Sequence, residues 1–210
     1  MKSNILLKKL YLDKVEFITS KMLKDYCKEF KMDYENTVRY FIRMGYLIRI
    51  FKGIFYLRDM EELKLGRTKY SYRDLIAKGL ELKNVKNWYF GLYSALKMNN
   101  MTHESFVIDH ILNDKLFRPN PMEIMGHDVK FHRVSSKLLK FGIFKRRNIR
   151  YSDPEKTILD FMYIWRYNGV SKKRIIMDIG DYAENVSKGK LRKYVKHYPR
   201  TVKETLEGVL

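Results

Sequence analysis

Residues 33–57 read Asp33-Tyr34-Glu35-Asn36-Thr37-Val38-Arg39-Tyr40-Phe41-Ile42-Arg43-Met44-Gly45-Tyr46-Leu47-Ile48-Arg49-Ile50-Phe51-Lys52-Gly53-Ile54-Phe55-Tyr56-Leu57. Asp33 can cap a helix, and Val38, Phe41 and Ile42 recur on one helical face, so a helix is expected from Asp33 to about Met44. Asn36, Arg39, Tyr40 and Arg43 fall on the opposite face at i, i+3, i+4 and i+7, with Thr37 beside them. Gly45 stops the helix. Two β-rich runs then flank Lys52-Gly53, which is the pattern of a hairpin.

Upstream, Thr19 and Ser20 are N-cap residues. Met22, Tyr26 and Phe30 follow on one face with Leu23 and Cys27 adjacent, while Lys21, Lys24, Asp25, Lys28 and Glu29 take the wet face. This predicts a helix of about three turns, ended by Met32. A shorter helix is expected over Ile5 to Tyr11. Two short helices with a tight turn, followed at once by a hairpin, define a winged helix-turn-helix, here assigned to residues 1–60. In that geometry the second helix of the pair faces the major groove of double-stranded DNA, where Asn can pair with adenine and Arg with guanine or phosphate. The expected DNA-contact set is therefore Asn36, Thr37, Arg39, Tyr40 and Arg43, with Arg49 and Lys52 on the hairpin against the sugar-phosphate backbone.

Residues 58–72 are polar and charged, and the boundary is placed there, leaving 61–210 as a second domain. Tyr72 to Leu82 reads as a helix, and Trp88 to Met98 as a short strand running into a buried helix. Phe106 to Leu112 has the β-branched content of a strand. Met122 to Met125 and Val129 to Val134 flank a turn at Gly126-His127-Asp128, and Phe141 to Phe144 and Asn148 to Tyr151 flank Lys145-Arg146-Arg147. Ser152-Asp153-Pro154-Glu155 starts a helix: Ser or Asp caps it, Pro suits its first turn and Glu can close a capping box. Two or three more helices follow. The expected class is α+β, an N-terminal winged helix-turn-helix followed by a larger, helix-rich α+β domain.

The net charge of +19 favours polyanionic partners. It is unevenly spread. Asn36 to Arg58 holds five basic residues, Val129 to Ser152 eight and Asn185 to Lys203 seven, all without one acid. The lone cysteine, Cys27, reads as a small core residue. Met1 to Lys9 lacks the apolar run of a signal peptide and no stretch suits a membrane span, so a cytoplasmic protein is expected. No coiled-coil signature marks a homodimer, although winged-helix repressors often pair on half-sites.

Catalytic patterns are sparse. No Walker A, dinucleotide-binding glycine loop or nucleophile elbow occurs, and the five histidines lack zinc-site spacing, so neither a metal nor another cofactor is expected. The alternative worth carrying is Asp128-Val129-Lys130, which with Asp109 or Asp114 could hold Mg²⁺ as some nucleases do.

The chain resembles the AbiEi family, antitoxins of abortive-infection toxin–antitoxin pairs. Three places carry the resemblance: the head ending Gly45-Tyr46-Leu47-Ile48 and Lys52-Gly53-Ile54-Phe55-Tyr56; Tyr89, Gly91, Ser94-Ala95-Leu96 and Met101-Thr102; and Ser152-Asp153-Pro154-Glu155-Lys156-Thr157-Ile158-Leu159-Asp160. Where the family has Gly before Leu-Thr, this chain has Asn100-Met101-Thr102. The resemblance implies a regulator that binds inverted repeats in its own promoter and a second domain that counters a nucleotidyltransferase-like toxin. A second basic surface, Lys137, Lys140, Lys145, Arg146, Arg147 and Arg150, would then widen the DNA footprint, dock an acidic toxin face, or simply be solvated.

Overall fold

The computed structural model describes residues 2–184 and 186–210; Met1 and Asn185, where the leader region and the third basic block begin, lie outside the described residues. Contacts divide the chain into two compact units, Met1–Asn84 with Ile124–Gly126 and Val85–Glu123 with His127–Leu210. The division thus falls after Asn84 rather than at residue 60, because two helices in the polar stretch and beyond it belong with the first unit.

The first unit runs α1 (Lys2–Leu12), β1 (Phe17–Thr19), α2 (Ser20–Glu29), α3 (Tyr34–Arg43), β2 (Leu47–Phe51), β3 (Ile54–Leu57), α4 (Met60–Leu65) and α5 (Tyr72–Leu82). Its sheet is antiparallel in the order β1-β3-β2. This is the winged-helix order with one strand the sequence did not announce. Three residues are too few for a periodic signal, and β1 exists because Phe17, Ile18 and Thr19 pair with Tyr56, Phe55 and Ile54. The core joins Leu6 and Leu10 of α1, Leu23 and Cys27 of α2, Val38 and Phe41 of α3, and Ile18, Leu47, Phe55 and Leu57 of the sheet. Met22, expected inward, is exposed; Leu23 and Cys27 carry the buried stripe of α2 instead. That helix stops at Glu29, capped by Phe30 rather than by Met32.

Beyond the hairpin, Asp59 and Glu62 form a reciprocal capping box at the start of α4. Glu62 is buried, and its carboxylate also accepts from the Tyr56 hydroxyl at 2.6 Å and from the Lys69 amide at 2.7 Å. A buried carboxylate persists when its oxygens are this well supplied with donors. Helix α5 packs its Gly79 on the wing's base: a Cβ there would lie 2.6 Å from the Phe51 ring.

The second unit is built on a mixed six-stranded sheet in the order β6-β7-β5-β4-β9-β8. The strands are β4 (Trp88–Phe90), β5 (Ile108–Asn113), β6 (Met122–Ile124), β7 (His127–Arg133), β8 (Ile143–Arg146) and β9 (Ile149–Ser152). Strands β5 and β7 run parallel, as do β4 and β9. The turn between β6 and β7 is Met125-Gly126, both at positive φ, not the expected Gly126-His127-Asp128; two residues of this kind match the sheet's twist. Helices α6 (Leu92–Met98), α7 (Pro154–Tyr167), α8 (Lys172–Ala183), α9 (Lys188–Tyr194) and α10 (Arg200–Leu206) complete it. Helix α7 is the centre of this core, contributing Ile158, Leu159, Phe161 and Met162. Asp153 caps α7 and Pro154 opens it, as expected. Glu155 does not close a capping box, since Lys156 holds that position; its oxygens accept from the Ser187 amide at 3.0 Å and from Lys190 at 3.3 Å. The fold class is α+β.

Candidate nucleic-acid interface

The helix pair α2–α3 is set by local chemistry. Thr19 Oγ1 accepts from the Met22 amide at 3.3 Å to start α2, and Asp33 Oδ1 accepts from the Asn36 amide at 2.8 Å to start α3. Between them Lys31 takes positive φ (+50°) and the Met32 amide donates to Cys27 O at 2.8 Å, which reverses the chain sharply. Ser20 Oγ and the Tyr34 hydroxyl lie 2.6 Å apart, tying the first residue of α2 to the first of α3. Nothing in the sequence singled out Tyr34, because its partner is fourteen residues away. Gly53 of the wing, at φ +78°, gives its carbonyl to the Ser20 amide at 2.8 Å. One residue, Ser20, therefore touches both the wing turn and α3.

The expected contact residues divide. Asn36, Arg39 and Arg43 are exposed on α3, with Tyr40 half-buried beside them. Arg39 meets Glu35 at 3.5 Å, with both side chains about three-quarters exposed (76% and 74%), so the pair is weak and readily exchanged for an anion. The Arg43 guanidinium lies 5.9 Å from the centre of the Tyr40 ring. Arg49 and Lys52 are exposed on the hairpin, Arg49 resting over Phe55. Thr37 is the correction: it is buried, and its hydroxyl donates to Asp33 O at 2.6 Å. It lies one turn before Phe41 on the inward stripe, so it serves the helix start rather than a ligand. Arg58, counted in the same basic block, is likewise structural, donating to Glu62 O at 2.7 Å.

The second basic group does not form one tract. Lys137 belongs to a short 3-10 turn at Ser136–Leu139 and Lys140 follows it, both exposed. Lys145, Arg146 and Arg147 lie on the hairpin between β8 and β9. Arg150 is half-buried and engaged, donating to Lys86 O at 2.8 Å and lying 5.8 Å from the Trp88 ring centre.

The nuclease constellation is not assembled. On the parallel pair β5–β7, Ile108 stands opposite Asp128, Asp109 opposite Val129 and His110 opposite Lys130. Alternation places Asp109 on the sheet face opposite to Asp128 and Lys130. Asp109 instead accepts from Ser94 Oγ at 2.7 Å. Asp114 follows the far end of β5, six residues and about 20 Å along the strand from the level of Asp128. On the face of the sheet that carries Lys130, His132 Nε2 lies 2.9 Å from Nδ1 of His110, which it stacks upon. Among the described residues no group of three or more His, Cys, Asp or Glu is placed to hold a metal ion, and no helix is long and apolar enough to cross a membrane.

No known protein-family model matches the chain, and no curated protein matches it. Among solved structures, the chain is similar to the RV2827C protein from Mycobacterium tuberculosis, at 13% identity and a TM-score of 0.57, over 99% of this chain and 76% of that one. That likeness is one of fold.

Proposed function

We propose that the chain is a duplex-DNA-binding transcriptional regulator acting in the cytoplasm, with α3 as its reading helix and the β2–β3 hairpin as its wing. The supporting observation is the exposed row Asn36, Arg39 and Arg43 on a helix capped by Asp33, with Arg49 and Lys52 exposed on the adjoining hairpin. Such a row offers base-edge donors in a groove, and the hairpin offers cations to the backbone. The resemblance carried by the sequence motifs extends the proposal to an autorepressing antitoxin acting on promoter inverted repeats beside a nucleotidyltransferase-like toxin.

The test is titration of the purified chain against the promoter region of its own operon by fluorescence anisotropy. Arg39→Ala or Arg43→Ala should weaken that binding by roughly 1–3 kcal/mol while sparing unrelated duplexes. Lys52→Ala should lower affinity about equally for all sequences and reduce the salt slope by about 1. If all three variants bind the promoter like the parent, the head has a different ligand.

A further inference from the structure

We propose that the β8–β9 hairpin is a second duplex contact, with its tip arginine entering the minor groove and its flanking cations reaching the phosphates on either wall; the proposal rests on reading the chain as a DNA binder. Residues 144–148 are all exposed, β8 is an outer strand, and no acid occurs from Val129 to Ser152. Lys145, Arg146 and Arg147 are consecutive, and none is held in an ion pair among the described residues.

Their geometry distinguishes a groove from a flat partner. In the register of the ribbon, Lys145 stands opposite Arg150 and Arg146 opposite Ile149, so Lys145 and Arg146 project from opposite faces. Arg147 is the first residue of the two-residue turn. A flat acidic protein surface would engage cations on one face only. Charge on both faces and on the tip suits a cleft with phosphates on both walls. The minor groove, about 6 Å wide, admits a guanidinium but not a two-stranded ribbon.

Backbone conformation points the same way. Arg147 has φ +55°, which two-residue hairpin turns normally give to Gly, Asn or Asp. An arginine there costs the fold stability that glycine would restore, as is common where function fixes the residue. The ribbon's root is also firm, since Arg150 stacks on Trp88 and donates to Lys86 O.

The experiment uses the full chain and A·T-rich duplexes of mixed sequence, read by anisotropy across a salt series. Arg147→Gly should melt no lower than the parent yet bind these A·T-rich duplexes several-fold more weakly, the effect of removing a guanidinium from the narrow, strongly negative minor groove. The triple variant K145Q/R146Q/R147G should lower the salt slope by about 2, one for each of Lys145 and Arg146. Filling the minor groove with netropsin should erase the parent's advantage over the triple variant. Parent-like affinity and slope in the triple variant overturns the proposal, as does an advantage that survives netropsin. The two readings fail separately: hairpin variants should leave sequence selectivity intact, whereas Arg39→Ala and Arg43→Ala should leave the hairpin's increment intact. Loss on the hairpin with no effect on α3 would remove the reading helix and keep the second contact.

Discussion

Lys156 and Asp160 lie one helical turn apart on α7, both fully buried, with Nζ 3.2 Å from Oδ1. The Tyr198 hydroxyl donates to Oδ1 of Asp160 at 2.7 Å and the Tyr89 hydroxyl to Oδ2 at 2.8 Å, while the Lys156 ammonium lies over the Tyr89 and Phe141 rings. Burial lowers the lysine's pKa and raises the aspartate's, and each charge opposes the other's shift. These residues sit in the Ser152–Asp160 stretch that carries the family resemblance, and the structure makes that stretch a satisfied polar core. Lys156→Ala should destabilise the second unit by about 3–5 kcal/mol, because Asp160 then loses its counter-charge where water cannot replace it. Chemical denaturation checks this, and adding Asp160→Asn should recover part of the loss. Thr37 gives the same lesson in miniature. A polar residue beside the exposed face of α3 is buried by its position one turn before Phe41.

The wing depends on Gly53. Its φ of +78° favours glycine, and a Cβ would stand 2.8 Å from Ser20 Oγ. Gly53→Ala should therefore cost about 1–3 kcal/mol, and melting of the first unit measures it. The elements with a strong local period are legible in the sequence: α3 from Val38, Phe41 and Ile42, α5 to the residue, and the strands around Lys52-Gly53. Strand β1 is not legible, since its stability comes from a partner nearly forty residues away. Helix α4 hides in a polar stretch because only Glu62, Leu63 and their caps hold it inward. The basic group at 137–150 is legible as composition only. Its division between a 3-10 turn, a hairpin tip and an arginine held against Trp88 follows from pairing with β9 and from Trp88, which sequence spacing does not encode.

On the scale of the chain, all five histidines follow Val85, so acid should act unequally on the two units. Burial first, and then the charges of His132 and Lys130, push His110 down to about 3; burial and then Lys130 push His132 down to about 4. Unfolded, both would take a proton near pH 6.5. The unfolded state thus binds more protons below that value, and the stability the pair confers above pH 6.5 is lost as pH falls towards 4. Thermal melts from pH 7 to pH 4.5 should show the second unit failing first, and replacing both histidines by glutamine should flatten that slope. The first unit carries its own reporter for such work. Cys27 is the chain's one sulfhydryl and is 2% exposed on α2, in the core that α2 shares with α3. A maleimide can reach it only when those helices part, so its alkylation rate in the unmodified protein measures how often the pair opens, and under the proposed function a bound duplex should slow that rate.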